Sequence, residues 1–290
     1  MKKKSFLLVV LIIACLAVFY GYQAYASMLA DTQAPEIRLS EVVPEVSVKD
    51  PKSALMQGIT VMDDKDGDVT ASLVVESISL LDNTGRLEVG YAAFDKAGNV
   101  TKVKREAQYT DYESPKFTMG GPLVYTYGSS FDVLSTVGAT DLMDGDIQHR
   151  VRATPLDEHS IADMGEHKVK FQVSNSLGDT VSLVLPVEVY DPEMYDARMS
   201  LKQYLLYVEK GASVKLDQYL REFVLAGEET NLRDGLPADY SLKTEGLVDT
   251  QTPGVYPVEY RVTYTQRHET NPEMDRKFTA YSKLIVVVEG

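Results

Sequence analysis

A short acidic turn recurs along the chain, each time ahead of an alternating strand, and this recurrence limits the fold more than any other feature. Asp63-Asp64-Lys65-Asp66-Gly67-Asp68-Val69 returns as Asp141-Leu142-Met143-Asp144-Gly145-Asp146-Ile147 and, more faintly, as Leu232-Arg233-Asp234-Gly235-Leu236. Downstream of each copy, at a similar distance, a glycine opens an apolar alternation, at Gly85–Tyr91, Gly165–Phe171 and Gly254–Tyr260. Pro35 and Pro115 open the first two copies, and Pro192 closes the second after nearly the same interval. Proline cannot donate to a sheet ladder, so it belongs at strand starts and in linkers. The interval from Pro35 to Pro115 suits a compact seven-strand sandwich and is too short for most α/β domains.

Within each copy the side-chain period is two. Leu87, Val89, Tyr91 and Ala93 alternate with weaker partners; Val169, Phe171 and Val173 alternate with Lys168, Lys170 and Gln172; Val258, Tyr260, Val262 and Tyr264 follow the same rule. Such strands place one face on a core and one in water. Tyr91 and Tyr260 fall on inward positions and are expected to fill space that tryptophan, absent from the chain, would otherwise take. Strong closing strands are expected over Val181–Val189 and Leu284–Glu289. One stretch departs from the period: Leu216, Tyr219, Leu220, Phe223 and Val224 recur at helical spacing before Gly227, which predicts a short helix. Lys52–Gln57 and Phe131–Val137 hold matching places, so this segment reads as shared architecture. Asp95–Asn99 and Asn175–Asp179 read as hairpin turns.

The N-terminus reads Met1-Lys2-Lys3-Lys4-Ser5 and then an apolar run from Phe6 to Tyr22. Lysines ahead of such a run keep the N-terminus in the cytoplasm and send the rest of the chain across the membrane. Two outcomes stay open, a retained anchor and a signal peptide cut after Ala24-Tyr25-Ala26. Lipidation at Cys15 is a third, opposed by the greasy stretch from Leu16 to Tyr22. Cys15 is the only cysteine, so the exported part has no disulfide or thiol nucleophile. The net charge of −14, with three lysines and no acid ahead of Asp31, argues against nucleic acid as a partner.

Asp63, Asp64, Asp66 and Asp68, with Asp141, Asp144 and Asp146, are the candidate metal ligands, and calcium is the candidate ion. Calcium takes six to eight oxygens, and carboxylates clustered on a tight turn supply several. Asp95 or Asn99 from a neighbouring loop, and the linker acids Asp111 and Glu113, are candidates to complete such a site. The competing reading is a plain turn, because Asp-Gly pairs bend chains on their own. The spacing is not that of an EF-hand: Val69 stands where that loop needs glycine, and Val75 where it needs its closing glutamate. Tyr109, Tyr112, Tyr125, Tyr127, Tyr190 and Tyr195 gather near the expected junctions, either to pack neighbouring domains or to bind a glycan. His149, His159, His167 and His268 form no metal or triad spacing, and no nucleophile elbow, phosphate loop or dinucleotide fingerprint occurs.

Asp63-x-x-Asp66-Gly67-Asp68-Val69-Thr70, followed by Gly85-x-Leu87-x-Val89-x-Tyr91-x-Ala93-x-Asp95-x-Ala97-Gly98-Asn99, resembles bacterial immunoglobulin-like surface repeats of the cadherin and HYR type. The resemblance covers residues 34–290 and weakens from the first copy to the third; the second departs at Asn175 and Asp179. It implies an all-β chain of three tandem immunoglobulin-like β-sandwich domains after an N-terminal transmembrane or signal helix. The expected segments are 1–30 for the helix and 31–112, 113–191 and 192–290 for the domains. The implied function is non-catalytic: adhesion, binding or spacing at a bacterial cell surface, with a surface protein or glycan as partner. The alternative is an accessory glycan-binding factor in cell-wall or exopolysaccharide assembly. No cofactor is expected, calcium remaining open.

Overall fold

The structure, a computed structural model, describes residues 2–270 and 272–290. An N-terminal helix spans Lys2–Leu29, and its stretch Leu8–Tyr25 is long and apolar enough to cross a membrane. The rest is all-β. The chain divides into two compact units, the first ending at Tyr112 and the second running from Glu113 to Gly290.

In the first unit, Glu36–Leu39, Ile59–Asp63 and Gly67–Asp68 form a three-stranded antiparallel sheet. Glu45–Val46, Val100–Tyr109, Arg86–Phe94 and Val74–Leu80 form a four-stranded one. The opening segment changes sheets: Glu36–Leu39 pairs antiparallel with Ile59–Asp63, whereas Glu45–Val46 pairs parallel with Val100–Tyr109. The alternation read from the sequence is the burial pattern observed. Leu87, Val89, Tyr91 and Ala93 are buried on one sheet, and Ile59 and Val61 on the other. Two sheets packed face to face in this way form a sandwich.

The second unit repeats the plan twice. Lys116–Met119, Val137–Asp141 and Gly145–Asp146 make a three-stranded sheet beside the four strands Arg152–Pro155, Gly165–Ser174, Thr180–Tyr190 and Val124–Thr126. Arg198–Leu201, Leu220–Leu225 and Glu228–Asn231 then make another, beside Leu205–Val208, Arg276–Val288, Gly254–Gln266 and Tyr240–Glu245. Val124–Thr126 and Leu205–Val208 again pair parallel with the closing strands. The closing strands are longer than expected, at Thr180–Tyr190 and Arg276–Val288.

These two sandwiches share a core. The strand Arg276–Val288 is buried on both faces: Leu284 and Val286 pack into the third repeat, while Ile285, with Val287, Leu205 and Val255, packs into the core of the second. Successive strand residues point to opposite faces, so Tyr281 and Lys283 share the Ile285 side.

The short helix expected over Leu216–Val224 is instead a 3₁₀ turn, Leu216–Tyr219, running into the strand Leu220–Leu225. The cause is a β-bulge. Leu201 pairs with Leu220 and Ser200 with Glu222, so Arg221 is the extra residue and both Leu220 and Phe223 turn inward. The resulting gap between buried side chains mimics helical spacing. The matching segments are short too, a 3₁₀ turn at Lys52–Met56 and one helical turn at Val133–Thr136.

Candidate functional site

The first two acidic turns each close the hairpin between the second and third strands of their small sheet, whereas the third copy, Leu232–Leu236, follows the third strand, and the hairpin there turns at Ala226 and Gly227 instead. Gly67 and Gly145 take φ of 75° and 71°, which the tight turn requires and glycine adopts without strain. Asp63 and Asp141 start the turns: Oδ1 of Asp63 accepts the amides of Lys65 and Asp66, and Oδ1 of Asp141 those of Met143 and Asp144. Asp68 and Asp146 end them, accepting the amides of Thr70 and Gln148. These hydrogen bonds are the turn chemistry expected of aspartate. Asp64 is exposed and stands outside the acidic cluster that forms around Asp63.

The two turns differ in what faces them. In the second repeat Asn175 Nδ2 donates to Asp141 Oδ2 at 3.1 Å, and Arg150 Nη1 meets Asp144 Oδ2 at 2.6 Å. The amide of Ser176 also donates to Asp144 Oδ2, so protein donors close the turn. Burial works to raise the Asp144 pKa, but the bonds from Ser176 and Arg150 outweigh it and hold the carboxyl below its ordinary range. In the first repeat Asp95 stands in the place of Asn175, and its carboxylate is occupied by Asn99 at 2.7 Å. Asp63 is 7% exposed, and its Oδ2 is buried without a hydrogen-bond partner.

Asp31, just ahead of the first strand, comes to this turn. Carboxylate oxygens of Asp31, Asp63 and Asp66 lie within 4.8 Å of one another, and they are the only such acidic group among the described residues. Asp66 accepts the backbone amide and the ammonium of Lys96, which together hold its carboxyl below the usual range. Lys65 Nζ lies 3.6 Å from Asp31. Three carboxylates around a buried, unpartnered oxygen match the hard oxygen donors calcium requires, with the two lysines as internal competitors. The linker acid Asp111 is committed elsewhere, to the hydroxyl of Ser47 and the amide of Val48. Glu113 pairs with Lys116. The sequence reading missed Asp31; its signal was register, since Asp31 and Asp111 stand at the same remove ahead of Pro35 and Pro115.

A second site lies in the second unit, where the third repeat meets the second. Lys283, 3% exposed, places Nζ 2.5 Å from Glu188, 3.0 Å from Glu166 and 3.6 Å from Glu259. Tyr281 donates its hydroxyl to Glu188 at 2.7 Å. Burial alone would lower the lysine pKa, but hydrogen bonds to Glu188 and Glu166 and their charges outweigh it and raise it. Tyr281 stacks on Tyr195 at 5.2 Å, and Tyr195 meets Tyr190 edge-on at 5.1 Å. Beside this ladder opens a cleft of about 510 Å³, whose other wall carries Tyr125 stacked on Phe131 at 4.1 Å. His167 is buried, bonded through Nε2 to the Asp163 carbonyl.

No family model matches the chain, and no curated protein matches it. Solved structures share distant likeness. The CBM51-2 domain with GlcNAc and the INT domains of Clostridium perfringens ZmpB align at 14% identity, over 87% of this chain and 44% of that one, with a TM-score of 0.21. The M60 catalytic domain of the same protein with its CBM51-1 and CBM51-2 domains aligns at 13% identity, over 88% of this chain and 30% of that one, at 0.19. Drosophila N-cadherin EC1-4 aligns at 12% identity, over 90% and 68%, at 0.21. The chain thus spans less than half the length of either ZmpB structure. Likeness this loose carries no argument about what the chain binds.

Proposed function

We propose that the chain is a non-catalytic, membrane-anchored extracytoplasmic protein whose immunoglobulin-like repeats bind or space partners at a cell surface. One observation carries this reading: an exposed apolar helix, long enough to span a bilayer and preceded by lysines, is joined to β-sandwiches. Protease added to intact cells is expected to remove the repeats, and alkaline carbonate to leave the helix-bearing chain in the membrane. Full protection from external protease would overturn the topology. A mature chain beginning at Ser27 would make the protein secreted instead.

A second reading, an accessory glycan-binding factor for wall or exopolysaccharide assembly, is favoured by the aromatic cleft of the second unit. Co-sedimentation of the protein with isolated cell walls tests it. Calcium is proposed as a ligand of the first repeat, at Asp31, Asp63 and Asp66, where the buried Asp63 oxygen supports it; the second repeat's turn is already closed by Asn175 and Arg150.

A further inference from the structure

We infer that the cleft between the Tyr190–Tyr195–Tyr281 ladder and the Tyr125–Phe131 pair is a site for a short, uncharged oligosaccharide. This inference rests on the glycan-binding reading and gives it a location and a ligand class.

The walls are built to stay in place. One comes from the second repeat, the other joins Tyr190 at the end of that repeat to Tyr195 and Tyr281 of the third, and the shared core and the Lys283 cluster lock the two repeats together. A preformed cleft avoids the ordering cost that a hinged one incurs on binding. Its volume of about 510 Å³ lies in the range of small-molecule sites. The lining joins ring surfaces to polar groups, Ser130, Asp132 and Arg198 among them. Rings offer apolar area to the C–H faces of a pyranose, and tyrosine does so with little side-chain freedom to lose.

The polar groups define the ligand's charge. Arg198 forms no ion pair among the described residues, although Asp132 lines the same cleft. Asp132 uses Oδ1 to cap the amide of Leu134 at 2.9 Å, and its second oxygen accepts no hydrogen bond among the described residues. An uncommitted carboxylate oxygen and an uncommitted guanidinium in one cleft suit a ligand that both donates and accepts hydrogen bonds, as vicinal hydroxyls do. A polyanion would meet Asp132 with repulsion, and a polycation would meet Arg198.

The test is calorimetric titration of the full chain in lipid nanodiscs with cellotetraose, a β-1,4-linked N-acetylglucosamine tetramer and a tetragalacturonate. At least one neutral tetramer is expected to bind, and tetragalacturonate more weakly. Arg198→Ala and Asp132→Asn should each weaken binding about tenfold, the scale of a lost charged hydrogen bond, with unchanged melting temperatures. Asparagine keeps the Leu134 cap; Ser130→Leu, at an exposed position, blocks the cleft if Arg198→Ala does not fold. Binding of neither neutral tetramer, preference for the charged one, or indifference to all three variants would overturn the assignment. Wall co-sedimentation run in parallel separates the two levels. Walls that retain the wild type and the variants equally would overturn the cleft and leave the glycan reading standing, whereas walls that retain neither would overturn the reading itself.

Discussion

At the scale of single residues, two tyrosine hydroxyls show how this fold fixes its crossing segment. Tyr91 and Tyr260 occupy equivalent inward positions, and each donates a 2.6 Å hydrogen bond to the carbonyl of a leucine in the 3₁₀ turn, Leu55 and Leu216. Phe171 holds the same place in the second repeat without a hydroxyl, and there Asp132 caps the turn and Tyr125 bonds Thr136. Tyr91→Phe is expected to lower stability by about 1–2 kcal/mol, since the buried Leu55 carbonyl loses its partner, and Tyr260→Phe by less, since Leu216 is only half-buried. Urea denaturation of each variant measures this. Asp63→Asn gives a separate outcome: it keeps the Oδ1 turn bonds and neutralises the unpartnered oxygen. Wild-type protein should melt higher in calcium than in chelator, and the variant should melt alike in both. An unchanged wild-type melt would remove calcium from the first repeat. The inward tyrosines and the two-residue period were legible from the sequence because alternation is local. Asp31 was not, because it reaches Asp63 only when the strand Glu36–Leu39 pairs with Ile59–Asp63.

At the scale of elements, the closing strand Arg276–Val288 departs furthest from its sequence. A lysine flanked by Ser282 and Leu284 in an apolar run reads as a solvent-facing residue, yet Lys283 is buried among three glutamates from three strands. The unbroken apolar run Leu284–Val288 is the local mark of a strand covered on both faces, but the lysine ahead of it gives no sign that this coverage extends to position 283. Lys283→Ala should destabilise the second unit by about 2–3 kcal/mol, less than a fully buried pair because the glutamates keep some solvent access. The pH dependence has a definite sign. The Lys283 pKa is raised, against the lowering effect of burial, by its glutamate partners; that of Tyr281 is raised by burial and by Glu188. Both groups hold their protons more tightly folded than unfolded, so their stabilisation is complete at neutral pH and is lost as pH rises above about 10. Lys283→Met should flatten that alkaline decline in a melting series. A decline of the same steepness would show that Lys283 does not set it. The helical spacing at Leu216–Val224 misled for a related reason, since one bulge residue shifts the inward phase without changing composition.

At the scale of the whole molecule, the repeat in the sequence becomes three copies of one two-sheet plan, each with its opening segment shared between sheets. That plan was legible in the first two copies because pitch, proline and turn recur together; in the third the Asp234-Gly235 pair lies beyond the hairpin, and the alternating strand Gly254–Tyr260 carried the reading. The sharing of one core by the second and third repeats was not, because the apolar run Leu284–Val288 marks a strand covered on both faces without recording which neighbour covers Ile285 and Val287. Scanning calorimetry should therefore show the second and third repeats melting in one transition, and Ile285→Ala should shift that transition as a unit. Separate melting of the two would contradict the shared core.

The position of Ile285 has a consequence for the order in which the chain is completed on the proposed export route. A chain threaded across a membrane from its N-terminus delivers Phe171 and Val187 long before Ile285, so the second repeat emerges with an apolar face still bare. It must wait uncovered, or with help, until the last strand of its neighbour arrives, and a stalled or clipped translocation product would be the sticky form of this protein.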